Sequence, residues 1–346
     1  MLRLPPFIYR APRSLDEAAL MLNQEGEQAM LVAGGTDLFP NMKRRQFTPP
    51  VVIGLRNIDA LKGISGSPEQ GFRIGAGVTL TQLSEHALLA GRESIETRSA
   101  SFAEGPYAAL TTAASSVSTP QLRNVGTIGG NLLLDTRCNY YNQTEFWRHS
   151  IGYCMKKDGD ICLVAPGSPR CWAISSADTA PVLVSLNAQV RLVSVRGERL
   201  LPVQQLFQDD GIQPYTKAPD EVLSEIILPP LPPADGWRSS YLKLRRRGSF
   251  DFPMLGVAAA LRFAGDGETV TDARLVLGAV ASHPLEAVEA ARVLIGHALT
   301  PERIEEAALL AAKRAKPLDN ADLTINYRKQ VTPVFVRRAL NQLAKF

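Results

Sequence analysis

Four cysteines, Cys138, Cys154, Cys162 and Cys171, are the side chains best suited to chemistry, and they are all the cysteines of a 346-residue chain. They fall in one stretch, DTRCNYYNQTEFWRHSIGYCMKKDGDICLVAPGSPRCW (residues 135–172), spaced C-x15-C-x7-C-x8-C. Thiolates gathered this way hold soft metals or do redox work. The stretch is rich in Gly, Pro, Lys and Asp and cannot build an apolar core of its own, so a bound group would have to fold it. Structural zinc usually takes tight C-x2-C pairs because four ligands must crowd one ion. No such pair is present, although His149 could complete a Cys3His set. An iron-sulfur cubane has four separated iron corners and suits ligands carried on longer spacers.

Two glycine loops precede the cysteines. In LVAGGTDL (Leu31, Val32, Ala33, Gly34, Gly35, Thr36, Asp37, Leu38) an apolar strand ends in a Gly pair. In TIGGN (Thr127, Ile128, Gly129, Gly130, Asn131) a second pair runs into a polar residue. Neither is a G-x-G-x-x-G fingerprint. Without side chains, several backbone N–H groups can converge on one anion. Either loop alone reads equally as a strand-end turn. Together they could close on the two phosphates of a dinucleotide from opposite sides.

The elements that must position these residues follow from patterning. SLDEAALMLNQEG has helical spacing, with Ser14 as N-cap and Gly26 as the stop. AMLVAGG, PPVVIGLRNI and GFRIG read as strands, the last leading through AGVTLTQL into a helix. The first unit, residues 1–60, has βαβ-like alternation. A second, residues 61–233, contains the helical SFAEGPYAALTTAASSV (101–117), the cysteine insertion 134–175 and the strand-like TAPVLVSLNAQVRLVSV (179–195). The proline-rich LPPLPPADG (228–236) is a linker signal. Residues 238–346 carry strands followed by three helices from Ala287, an α+β pattern.

Composition sets the surroundings. A chain of this length exceeds one ordinary core and should divide into two or three domains. Apolar residues are 45%, charged residues 21% and the net charge is +4, which makes no case for nucleic acid. The runs Lys43–Arg45 and Arg245–Arg247 read as solvated faces. No apolar stretch reaches the about 18 residues of a membrane span, and prolines stand where a signal peptide would be apolar, so a cytoplasmic location is expected. Thiols there stay reduced, which favours metal or redox roles over disulfides.

In order along the chain, LVAGGTDL, RNVGTIGGNL, SSADTAPVLVSLNAQV, YLKLRRRGSFDFPMLGVAAAL and NYRKQVTPVFVRRAL resemble the successive signatures of the flavin subunits of molybdenum hydroxylases, which include the xanthine dehydrogenase and carbon monoxide dehydrogenase flavoproteins. The resemblance implies an α+β chain with a two-subdomain FAD-binding fold of the PCMH type and a C-terminal α+β domain. It implies noncovalent FAD with its pyrophosphate on both glycine loops. It also puts Asp178 at the ribose or adenine side, Leu228 against the cofactor and Lys243 near the isoalloxazine. From the residues alone, Asp178 reads equally as a helix cap, Leu228 as core and Lys243 as a solvent-facing neighbour of Arg245 and Arg247.

Most such flavoproteins pass from GGNL to SSADTAPVL by a short link, whereas residues 134–175 intervene here. With RCNYYNQ and its cysteine spacing, this insertion resembles that of one subgroup, the flavin subunits of 4-hydroxybenzoyl-CoA reductases. That likeness implies a [4Fe-4S] cluster on Cys138, Cys154, Cys162 and Cys171, and ferredoxin as electron donor. The partners it implies are a molybdenum-cofactor subunit, where the substrate chemistry would lie, and a [2Fe-2S] subunit, assembled as a dimer of heterotrimers. Two other readings stay open: an outward-running hydroxylase flavoprotein with an extra cluster, and a zinc-stabilised nucleotide-binding docking module. Lys156, Lys157 and Arg170 lie close to the cysteines and predict an insertion that bulges from the fold with a solvated basic face, suited to an acidic electron carrier.

Overall fold

The computed structural model describes residues 2–91 and 105–344. Strands β1 (Ile8–Arg10), β2 (Ala29–Val32) and β3 (Val51–Gly54) form a parallel sheet in the order β1-β3-β2. Helices α1 (Leu15–Glu25) and α2 (Leu38–Lys43) make its crossovers. As the sequence predicts, the Ser14 side chain caps α1 by accepting from the Glu17 N–H at 3.1 Å, and Gly26 ends it with φ +56°.

The second sheet is antiparallel, with β4 (Ile64–Ser67), β5 (Gly71–Gly75), β6 (Gln189–Ser194), β7 (Gly197–Pro202) and β8 (Val222–Leu228) in the order β4-β5-β8-β6-β7. Between β5 and β6 the chain makes α3 (Leu80–Glu85), α4 (Ala108–Ser116), α5 (Pro120–Arg123), α6 (Ile128–Leu132), α7 (Glu145–Ser150) and α8 (Thr179–Ser185); α9 (Val203–Leu206) follows β7. Of the helical stretch expected at 101–117, residues 101–104 lie outside the described residues. The reading of residues 179–195 as strand throughout is corrected. Thr179–Ser185 is a helix with every residue buried, Asn187 turns the chain at φ +55°, and only then does β6 begin. A short, wholly buried apolar run carries no periodicity that separates helix from strand.

The third sheet is antiparallel, in the order β12-β11-β10-β9, from β9 (Trp237–Leu244), β10 (Leu255–Phe263), β11 (Val270–Gly278) and β12 (Leu285–Glu286). Helices α10 (Val288–Arg292), α11 (Pro301–Arg314) and α12 (Ile325–Ala344) complete this part, and α10 and α12 pack directly on the sheet. Strand β10 is nearly continuous in apolar residues because both its faces are buried. Ala258 and Ala260 face the core shared with α4 and α8, while Val257, Ala259, Leu261 and Phe263 face the helices behind. Among the described residues, no helix is long and apolar enough to cross a membrane.

The insertion does not bulge from this frame as expected but is clamped to it on three sides. The Arg148 guanidinium, 1% exposed, donates to the Arg44 and Arg45 carbonyls at 3.2 and 3.0 Å, and the Gln46 amide donates to the Tyr141 carbonyl at 2.8 Å. Thr136 Oγ1 donates to the Gly211 carbonyl at 2.6 Å. Asn320, from the C-terminal third, accepts from the Asn139 N–H at 3.0 Å and donates to the Trp172 carbonyl at 2.6 Å. These bonds offset part of the cost of burying polar groups, although Gln46 Oε1 and Arg148 Nε find no hydrogen-bond partner among the described residues.

Candidate functional site

The first glycine loop leaves β2 after Val32. Gly35 has φ +71°, a conformation that costs an L side chain, and a Cβ there would lie 2.5 Å from the Phe39 ring. Gly34 fits closely against the second loop, since a Cβ on it would collide with the Val125 carbonyl. The two loops therefore touch, and Thr36 lies beside Gly126. Their donors differ. Among the described residues, the N–H groups of Gly34, Gly35, Thr36 and Asp37 donate to no protein group. In the second loop the fold uses four of the five: Ile128 donates to Val78 and Gly129 to Ala76, both at 2.9 Å, Gly130 to Thr127 Oγ1 at 3.1 Å, and Asn131 to the Thr127 carbonyl at 2.9 Å. The first loop thus keeps its amides open to an anion, and what the second can add among the described residues is the Thr127 N–H and hydroxyl.

Asn131 links this pair of loops to α8. Its Oδ1 accepts from the Thr179 N–H at 3.2 Å and from the Thr179 hydroxyl at 2.7 Å. Asp178, at the head of α8, makes no side-chain cap and instead turns inward. Its carboxylate accepts from the Tyr241 hydroxyl at 2.8 Å and from Lys243 Nζ at 2.9 Å; Lys243 also donates to the Ser116 carbonyl at 2.9 Å. The two charged side chains are 3% and 4% exposed. Burial pushes the Asp178 carboxyl above its ordinary range, against the pull of Lys243, and draws the Lys243 ammonium below its own. Lys243 is therefore not solvent-facing. Leu228 ends β8 and is buried in the main core.

The four cysteines are buried, unpaired and line one cavity with Tyr140, Tyr141, Met155 and Lys156 among its other walls. Burial pushes the Cys138 thiol up to about 12 and that of Cys171 up to about 11, so a bound cation is needed to hold them as thiolates. The Ala173 N–H points at Cys171 Sγ from 3.4 Å, and the Cys138 N–H is held by Asn142 Oδ1 at 2.8 Å. The first is a donor of the kind that surrounds cluster thiolates; the second fixes the backbone at Cys138. Among the described residues, no three His, Cys, Asp or Glu side chains gather closely enough to grip a single ion. His149 is not in the cavity wall; it stacks edge-on against Tyr153.

The expected basic face is also corrected. Lys156 is 6% exposed in its side chain and turns inward to Asp135 and Thr136, both at 2.8 Å. Arg170 pairs with Asp209 at 2.8 Å and lies 3.7 Å over the Trp172 ring; Lys157 pairs with Asp158 at 3.4 Å. Arg137, which sequence reading did not single out, joins the cysteine region to the first glycine loop through an ion pair with Asp37. Burial draws its guanidinium down to about 10, which leaves it charged at neutral pH.

Over residues 5–231 the chain matches the family described as the FAD binding domain in molybdopterin dehydrogenase. The chain belongs to the FAD-binding subunits of the molybdenum hydroxylase family. Residues 239–343 of this flavin subunit match the CO dehydrogenase flavoprotein C-terminal domain. It is similar to the carbon monoxide dehydrogenase medium chain of Afipia carboxidovorans, 29% identical over 97% of this chain and 96% of that one. It is also similar to the aldehyde oxidoreductase FAD-binding subunit PaoB of Escherichia coli, 30% identical over 82% and 85%. Among solved structures, the carbon monoxide dehydrogenase from Hydrogenophaga pseudoflava that lacks the Mo-pyranopterin moiety of its cofactor superposes with a TM-score of 0.74 at 27% identity, covering 98% of this chain and 97% of that one.

The open amides of the first loop fit an FAD pyrophosphate in this flavin subunit. Gly35→Val would force a β-branched residue into the left-handed region and against Phe39, closing the loop. It should give folded protein with FAD affinity lowered by about tenfold or more. Gly130→Ala, whose Cβ would lie 3.1 Å from Thr127 Oγ1, should weaken FAD less. Flavin content and fluorescence titration check both, and full occupancy in Gly35→Val would remove the first loop from the site.

Proposed function

We propose that this chain is the FAD and [4Fe-4S] electron-transfer subunit of a molybdenum-containing reductase, passing electrons from ferredoxin towards partner subunits that dehydroxylate an aromatic CoA thioester such as 4-hydroxybenzoyl-CoA. The observation that carries the reading is the cavity lined by all four buried thiols, in an insertion tied to the first glycine loop. Cys138, Cys154, Cys162 and Cys171 would hold the cluster, and Gly34–Asp37 with Thr127 would receive the flavin phosphates. Bound together, the two groups supply one-electron transfer and its conversion to two-electron chemistry. Four thiols on long spacers with no tight C-x2-C pair suit a four-iron cluster better than one zinc ion, so the zinc-stabilised docking module is the weaker reading. Partners on this reading are a molybdenum-cofactor subunit and a [2Fe-2S] subunit in a dimer of heterotrimers, with the substrate chemistry in the former.

A second direction of flow has support. Relatives include a carbon monoxide dehydrogenase and a nicotine 6-hydroxylase, names of enzymes that oxidise their substrates. The inward turn of Lys156 also removes part of the basic face offered for a ferredoxin. Anaerobic purification should give about four irons and four sulfides per chain. Zinc without iron would reject the cluster. In the assembled complex, flavin reduction by reduced ferredoxin supports the inward direction; flavin that takes electrons only from an oxidisable substrate, by way of the partners, selects the outward one.

A further inference from the structure

The first glycine loop carries an internal conflict. Its open amides suit an anion, yet Asp37 sets a carboxylate directly after them. A carboxylate beside a phosphate opposes binding unless its charge is cancelled. The cancelling charge comes from the insertion. Arg137 Nη2 pairs with Asp37 Oδ1, and Arg137 Nη1 lies 3.5 Å from Asn41 Oδ1. Asn41 in turn donates to the other Asp37 oxygen at 3.0 Å. The guanidinium is 4.4 Å from the centre of the Phe252 ring, and the residue is 9% exposed. Its backbone is fixed by paired bonds with Ile174 across the neck of the insertion, at 2.9 and 2.8 Å. The arginine is thus aimed at the loop by a segment outside the flavin-binding elements.

We propose that Arg137 is a positioning residue of the flavin phosphate site, which neutralises Asp37 and fixes the first glycine loop so that its amides can accept the pyrophosphate. The inference rests on the assignment of that loop to FAD and is independent of what the cysteines hold. If Arg137 acted only as structural glue, removing it and Asp37 together would hurt at least as much as removing it alone. If it acts by charge, removing both should restore binding.

Deflavinated full-length protein titrated with FAD, with bound flavin followed by fluorescence, tests this. Arg137→Gln should weaken FAD by about tenfold or more. Asp37→Asn alone should bind at least as tightly as wild type, and the double variant should recover most of the loss. The pattern should persist after iron is removed with a chelator. If Arg137→Gln does not fold, the double variant carries the test and should bind FAD within about threefold of wild type. Wild-type affinity in Arg137→Gln, or a double variant as weak as the single, overturns the proposal. Gly35→Val, run in parallel, separates the failures. If it too leaves FAD binding unchanged, the loop assignment has failed; if it alone loses FAD, only the role of Arg137 has.

Discussion

A Cys154→Ser chain should purify folded and yellow, with its FAD in place and its iron gone. The backbone around Cys154 is held without its sulfur: its carbonyl accepts from the Lys157 and Gly159 N–H groups at 2.9 and 3.1 Å, and serine keeps the side-chain volume. A serine hydroxyl stays protonated and is a poor ligand for iron. The glycine loops reach the insertion through Arg137, seventeen residues earlier in the chain, so their geometry should survive. Iron and sulfide should fall from about four each per chain towards zero. Ferredoxin-driven turnover of the assembled complex should drop to background, while an artificial donor able to reduce flavin directly still works. Equal ferredoxin-driven rates in variant and wild type would assign the insertion a structural role.

The second large effect is on stability. Lys243→Met should cost roughly 3–5 kcal/mol, because it strands the Asp178 carboxylate in the core with only the Tyr241 hydroxyl as side-chain partner. Its pH dependence has a defined sign. Burial already raises the Asp178 carboxyl, and loss of the ammonium raises it further. Between the unfolded carboxylate value, near about 3.9, and the raised folded value, the native chain binds a proton that the unfolded chain has released, so stability falls as pH rises. Urea unfolding should show the variant weaker at about pH 8 than at about pH 5, by more than wild type. Adding Asp178→Asn should remove the excess slope. A loss independent of pH would mean that the methionine acts by packing alone.

These two sites mark what a sequence can and cannot disclose. The cysteines, the glycine loops, the Ser14 cap and the three groups of strands are local patterns, and local patterns are legible. The Arg137–Asp37 pair spans 100 positions and Lys243–Asp178 spans 65. Charges of both signs are plentiful along the chain, so nothing local says which of them meet. Lys156 shows the converse. Surrounded by Lys157, Asp158 and Asp160 it reads as surface, yet its ammonium is folded inward over the Tyr141 ring, 4.8 Å from the ring centre. The direction of a lysine stem is set by tertiary contacts with Asp135 and Gly211 that its immediate neighbours do not encode.

The threefold clamping of the insertion also fixes an order of events during biosynthesis. The thiols stand between residues 138 and 171, but their surroundings are anchored by Arg44 and Arg45, synthesised earlier, and by Gly211 and Asn320, synthesised later. While the ribosome is still making the third sheet, Asn139 and Trp172 lack the side chain and carbonyl that hold them. The pocket becomes complete only when nearly the whole chain has emerged and its distant parts have met. Any group that the thiols take up would then be acquired after translation, and a chain stopped short of Asn320 would present its cysteines loosely held.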